Sequence, residues 1–285
     1  MRWRSGMRTT DIRVMSNLGI RTVRGVTVEM WRELVVSRDL LRAFVARDLL
    51  VRYRQALLGV GWTVLSPLLN VLVFSLIFTR VAPIDTGVPY PVYVYAGLWP
   101  WTFFAASLRG ATVSLSGNAS LVTKVYFARE VLPFSVVLVA LVDFAVAGAL
   151  LAMLMLWYQV PVGIAALFLP IIVLVHVLFT TGLALLLSVA NLYWRDTRHV
   201  IEAILTVWMF ATSVVYPVER VGGRIGTVLA LNPMTPIIDA YRDVLLYGRM
   251  PQPAPFAYAA LVALVVFVVA WYRFHRSELQ FAERA

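Results

Sequence analysis

The chain has 285 residues, of which 61% are apolar and only 14% charged, and its mean hydropathy is +0.80. Water-soluble domains sit near about 45–50% apolar and about 25% charged, so this composition excludes both a soluble globular protein and a disordered one. It predicts an all-α polytopic membrane protein, with room for about six spans of about 20 residues and none for a large soluble catalytic domain.

Residues 1–56 hold twelve arginines and no apolar run of signal-peptide length, so this segment is expected to stay in the cytoplasm. Residues 1–27 read as a basic, poorly ordered extension. Residues 28–56 mix Trp31, Leu34, Leu40, Leu41, Phe44, Val45 and Val51 with frequent charges, the pattern of an amphipathic interface segment of one or two helices, with Ser37 placed to cap the second.

Six apolar segments follow, over 57–79, 97–117, 131–157, 166–190, 199–216 and 256–273. With the N-terminus inside, nineteen Lys and Arg fall on the cytoplasmic side. Five fall outside: Arg80, Arg220, Arg224, Arg242 and Arg249. That asymmetry predicts both termini cytoplasmic, and topology rather than nucleic acid accounts for the net charge of +10. Tyr90, Tyr93, Tyr95, Trp99 and Trp101 before span two, and Trp157 and Tyr158 after span three, are expected in the aromatic belt of the outer interface.

The stretch from Pro217 to Pro255 is too polar to span, yet Val228 to Leu231 and Ile237-Ile238 flank an Asn-Pro-Met-Thr-Pro break. This is either a re-entrant helical hairpin between spans five and six or a loop carrying two surface helices.

The chemistry is defined largely by what is missing. There is no cysteine, and the single lysine, Lys124, follows Thr123, so the Gly-Lys-Ser/Thr phosphate loop of a nucleotide hydrolase is excluded. His176, His199 and His275 are isolated from one another, which argues against a metal site. Arg109 and Asp143 lie inside spans, where charges are costly, and they form a candidate intramembrane pair. That pair serves either helix packing or the lining of a transport path. Arg52 and Arg54 flank Tyr53 at the start of span one. They are either ordinary positive-inside anchors or a guanidinium cluster for a phosphate headgroup. Between spans two and three, residues 118–130 form a short amphipathic segment. Leu121, Val125 and Ala128 share one face and Asn118 is a candidate N-cap, so the face should rest on the bilayer or on a partner.

These residues also carry a family resemblance. Arg47-Asp48-Leu49, Arg52-Tyr53-Arg54, Leu58-Gly59, Trp62 and Leu65-Ser66-Pro67-Leu68 lead into Asn118, Leu121, Lys124, Phe127, Arg129 and Leu132-Pro133. Arg195-Asp196, Pro217-Val218, Asn232-Pro233 and Phe274…Phe281 follow in order. Over residues 38–285 this resembles the ABC-2 permeases that export polysaccharides, the Wzm-type O-antigen, teichoic acid, capsule and galactan exporters. One departure is Ala128, where that family usually has proline.

The resemblance implies a homodimer whose domain spans 57–285, with two separate ABC ATPase subunits that carry the ATP and Mg; this chain itself holds no cofactor. It implies a polyprenyl-pyrophosphate-linked polysaccharide as cargo in the inner membrane. The 118–130 segment, with Asn118, Leu121, Lys124, Phe127 and Arg129, would be the coupling helix. Arg52, Tyr53 and Arg54 would serve the cytoplasmic gate, and the 217–250 hairpin with Pro217, Asn232 and Pro233 the outer gate. Trp62, Phe74 and Phe78 of span one and Trp208, Phe210 and Tyr216 of span five are candidates to line the channel, since aromatic faces tolerate sugars. An ABC-2 drug or lipid exporter is the alternative. An integral membrane glycosyltransferase is disfavoured, because no carboxylate pair sits in an apolar stretch.

Overall fold

The computed structural model describes residues 37–54, 60–81, 83, 85–124, 127–218 and 221–284, and the regular elements among them are helical. Helix α1 is Arg38–Arg54, α2 Val60–Leu76 with a π turn at Ile77–Val81, α3 Tyr90–Ser114, α4 Ala119–Lys124 and α5 Val131–Trp157. Then come α6 Leu169–Tyr193, α7 Thr197–Phe210, α8 Gly223–Ala230, α9 Met234–Leu245 and α10 Pro253–Arg284. Residues 1–27, and most of the predicted boundary between interface helix and span one, lie outside the described residues.

Local signals explain several of these boundaries. Helices α3, α6 and α10 carry proline in the first turn, where its missing N–H costs no helical bond. Helix α5 stops where Gln159 turns left-handed at φ 55, and the Val160 amide then bonds back to the Met155 carbonyl at 2.9 Å.

Helix α3 is the axis of the bundle, in contact with α2, α5, α6, α7 and α9, and 19 of its 25 residues are buried. This overturns the predicted aromatic belt before span two. Tyr90, Tyr93, Tyr95, Trp99 and Trp101 are all at most 6% exposed. Their polar edges are satisfied inside the protein rather than at the interface. The Trp99 indole donates to the Phe144 carbonyl at 2.7 Å while stacking on its ring at 4.1 Å, and the Tyr95 hydroxyl donates to the Ala147 carbonyl at 2.9 Å. By contrast, Trp157 is 81% exposed, as a belt residue should be. Helices α6 and α10 touch backbone to backbone at Gly182, where a Cβ would sit 2.9 Å from the Phe267 backbone.

Three helical stretches are long and apolar enough to cross a membrane: Val131–Trp157, Ile164–Tyr193 and Pro253–Ser277. They match predicted spans three, four and six. The other three predicted spans differ in kind. Pro67–Arg80 is apolar but short. Helix α3 is long and mostly buried, with Ser107, Thr112 and Ser114 inside the protein and Arg109 at its surface. Helix α7 has 14 residues, about 21 Å at helical rise against a hydrocarbon core of about 30 Å. Beyond Phe210 the chain continues as turns through 211–216.

At one end of the bundle Phe44, Leu115, Val122, Ala128, Val131, Leu132, Leu185, Leu192, Ala270 and Phe274 form a second apolar cluster. The described part of the 118–130 segment belongs to it. It is a 3-10 turn at Ser116–Asn118 followed by the six-residue α4, not one continuous helix. Of the predicted apolar face, Ala128 is buried and Leu121 packs against this cluster beside the buried Val122, while Val125 lies outside the described residues. Asn118 closes α3 rather than opening α4: its side chain donates to the Ser114 carbonyl at 2.9 Å.

At the other end the 217–250 stretch forms two helices around Asn232-Pro233, and they are unequal. Eleven of the twelve residues of α9 are buried, whereas none in α8 is.

Candidate functional site

The two charges predicted inside spans do not meet. Arg109, on α3, pairs with Glu202 on α7, Nε to Oε2 at 2.9 Å, and both side chains are about half exposed, at 45% and 57%. Asp143, on α5, instead receives Nη1 of Arg52 from α1. Helix α1 packs along the first half of α5, so Arg52 reaches Asp143, while α3 presents Arg109 to the first turns of α7. Sequence depth placed Arg109 and Asp143 in neighbouring spans but could not tell which faces they occupy. The side chains of Tyr53, Arg54, Trp62 and Lys124 lie outside the described residues.

The aromatic channel candidates separate into two groups. Phe74 and Phe78 are partly buried against the core, with Phe78 5.6 Å from Tyr90. Trp208 packs edge-on against Phe104 at 5.2 Å. Phe210 is 49% exposed, and the Tyr216 hydroxyl donates to its carbonyl at 2.5 Å. In the coupling segment Phe127 lies 6.4 Å from Phe44, Leu121 packs against the same cluster, and Arg129 donates to the Val122 carbonyl at 3.1 Å.

The break after α7 is held by two residues. Asn232 is a bracket between α7 and α9. Its Oδ1 accepts from the Trp208 indole at 3.0 Å and from the Met234 amide at 3.1 Å, and its Nδ2 donates to the Ala211 carbonyl at 3.0 Å and Thr212 Oγ1 at 2.8 Å. Pro233 follows at the N-cap position of α9. Arg242 is the second, and sequence reasoning missed it by counting it as an outer topological charge. It is 2% exposed, and its guanidinium donates to the carbonyls of Ser213 and Val214 (2.6 Å for the latter), with Asp239 at 3.4 Å. A non-helical backbone in a membrane protein requires such internal partners. The signal that could have found it is its position: Arg242 lies four residues after Ile238, on the same face of α9.

Beside this break a cleft of about 730 Å³ opens between the 85–87 loop, the hairpin, α9 and the 247–256 segment. Pro217, the third predicted gate residue, lines it together with Asp239, Asp243 and Arg249. Arg249 and Asp243 pair at 2.7 Å. Burial raises the Tyr247 phenol above its ordinary value, against the opposing charges of Arg242 and Arg249. It therefore stays a donor at neutral pH, to the Thr86 carbonyl at 2.8 Å.

The model of the ABC-2 type transporter family matches residues 39–246. The chain belongs to the ABC-2 type transporter family. It is 36% identical over 260 residues to the O-antigen export system permease protein RfbA of Myxococcus xanthus, covering 90% of this chain and 99% of that relative. It is 26% identical to an O-antigen export system permease protein RfbA of Klebsiella pneumoniae, with the same coverages. A polysialic acid transport protein KpsM of Escherichia coli is 22% identical over 82% of this chain and 92% of its own length. This ABC-2 permease is therefore an integral membrane subunit of a transporter and not an enzyme, and membership of the family implies an ABC ATPase subunit as its partner.

Proposed function

We propose that this ABC-2 permease is the membrane half of an ATP-driven polysaccharide exporter of the cytoplasmic membrane. Its cargo is a polyprenyl-pyrophosphate-linked glycan of O-antigen, teichoic acid or galactan type. Two copies form the conduit with six spans each and both termini cytoplasmic. Two ABC ATPase subunits carry ATP and Mg and dock beneath the 118–130 segment, and no nucleic acid is involved. Residues 1–27 are a basic extension, 28–56 the interface helix, 57–285 the transmembrane domain and 217–250 the outer gate, re-entering the outer leaflet.

The observation that carries this reading is the exposed Arg109–Glu202 pair. Exposed ionised groups on α3 and α7, about one and a half turns from the inner helix ends, do not belong in hydrocarbon. Thr206 is exposed one turn further along α7, its hydroxyl donating to the Glu202 carbonyl at 3.0 Å, beside the exposed apolar Val207 and Phe210. The similarity to O-antigen and polysialic acid transport proteins supports the same cargo class. Arg52, which pairs with Asp143, and Arg54 two residues on are the guanidinium groups assigned to the arriving pyrophosphate in this reading.

The mechanism follows from these parts. ATP closes the ATPase pair, the coupling segments transmit the movement through the Phe44–Phe127 contact to α1 and span one, and the lipid pyrophosphate reorients to the outer leaflet. The glycan then follows between the two copies.

The test is reconstitution of the chain with its ABC ATPase in proteoliposomes holding a lipid-linked glycan. ATP- and Mg-dependent transfer of the glycan across the bilayer is the expected result. A complex that moves lipid or drug but never glycan would sink the reading.

A further inference from the structure

Three polar side-chain atoms between α3 and α6 have no hydrogen-bond partner among the described residues: Ser107 Oγ on α3, and His176 Nε2 and Thr180 Oγ1 on α6. We propose that they share one ordered internal water molecule, which pins span two to span four beside α9. All three residues are fully buried within one chain, so neither lipid nor a second copy reaches them. The site is independent of the exporter reading and of the cargo.

Helix geometry gathers the three groups. The Phe103 ring meets the His176 ring edge-on at 5.0 Å, and Phe104 stacks on Phe179 at 5.9 Å, so α3 and α6 advance together here. Ser107 lies one turn beyond those two phenylalanines and Thr180 one turn beyond His176, each on the same face as the residues before it. Side chains on a helix lean toward its N-terminus, so both hydroxyls lean back toward the level of the His176 ring. His176 Nδ1 faces the Tyr241 hydroxyl of α9 at 3.3 Å, which leaves Nε2 on the far edge of the ring.

Other buried hydroxyls of these spans are satisfied by their own helix. Thr112, Ser114, Ser135, Thr181 and Ser188 each donate to a carbonyl three or four residues back. Ser107 and Thr180 do not, and native interiors rarely leave such groups unpaired. Water is the smallest group that both donates and accepts, and a buried water typically makes about three hydrogen bonds to groups of this kind. It suits either tautomer of His176, since it can donate to a bare Nε2 or accept from a protonated one. The three groups offer no carboxylate to hold a cation and no guanidinium to hold an anion. The resulting chain of contacts runs from Tyr241 on α9 through His176 and the water to Ser107 on α3.

Thermal unfolding of the full-length chain in detergent tests this. Thr180→Val and Ser107→Ala should each lower the melting temperature by about 2–4 °C, the loss of roughly one hydrogen bond. The double variant should fall little further than the lower single variant, because either substitution already releases the water. Thr180→Ser keeps the hydroxyl and should keep the coupling to Ser107, which separates the hydroxyl from the methyl group. Melting unchanged or raised in both single variants means dry, unpaired hydroxyls whose removal costs nothing. Fully additive losses mean hydroxyls that are bonded separately. Either result overturns the shared water. A cryo-EM map of the wild-type permease–ATPase complex that resolves ordered water does not depend on any variant folding. A density peak within hydrogen-bond reach of all three atoms is expected there, and well-resolved side chains with no peak between them overturn the site.

Discussion

The guanidinium of Arg242 lies 3.8 Å above the ring centre of Tyr93, on α3, and bonds at the same time to two carbonyls of the turn that ends span five. One side chain thus ties α9, α3 and the broken backbone into a single body. Gly97 provides the space, since a Cβ there would lie 2.4 Å from Arg242 Nη2. Arg242→Ala should leave several buried carbonyls without a donor, at about 1–3 kcal/mol each, and lower stability by about 3 kcal/mol or more. Arg242→Lys should recover little, because an ammonium does not fork between two carbonyls while covering a ring. Thermal unfolding of the purified chain in detergent reads both; equal stability of the lysine variant would refute the bidentate role.

Gly182 makes a similar point for the α6–α10 contact. A methyl group there meets the Phe267 backbone at 2.9 Å, and backbone yields less readily than a side chain. Gly182→Ala should cost about 1–3 kcal/mol by overpacking. Gly117→Ala is the control, since nothing lies within 4 Å of its Cβ, and it should be close to neutral. If both variants melt together, the close approach is not what α6 and α10 depend on.

The Arg52–Asp143 pair bears on how the cytoplasmic gate handles a headgroup. Arg52 and Asp143 pair across α1 and α5, and a double-mutant cycle should return a favourable coupling between them. A pyrophosphate arriving at Arg52 must compete with Asp143. Arg52→Ala together with Arg54→Ala is therefore expected to reduce export several-fold while assembly with the ATPase is retained. Asp143→Asn, by removing the competitor, should not reduce headgroup binding. Normal export by the double arginine variant would remove the headgroup contact from the mechanism.

Much of this architecture was legible because apolar run length is a strong constraint. Helix α5 matches its predicted span, 131–157, at both ends, and α10 begins three residues from where it was placed. The aromatic residues of α3 were misread because hydropathy records composition and not direction. Trp99 and Tyr95 look like belt residues until the carbonyls of α5 are found opposite their polar edges. The charge pairs failed for the same reason: depth along a helix is written in the sequence, but the facing partner depends on rotation. Arg242 was lost in a topology count that took its charge as a sign of exposure, although it lies one helical turn after Ile238 on the apolar face of the helix.

The coupling segment offers a prediction that separates folding from docking. Val122 points into the chain's own apolar cluster, whereas Ser120 and Thr123 are exposed on the same short helix. Val122→Glu should destabilise the permease itself, by burying a charge among Phe44, Leu115 and Leu185. Thr123→Glu should leave its melting within about 0.5 kcal/mol of wild type. If the ATPase seats on the exposed side, Thr123→Glu and Lys124→Ala should each reduce ATPase co-purification several-fold. Phe127→Ala removes the 6.4 Å ring contact with Phe44 and should weaken both properties, because it joins the docking segment to α1. Undiminished co-purification of the Thr123 and Lys124 variants would mean that the ATPase engages another surface, and the route of force into span one would then have to run through the α10 tail around Phe274 instead.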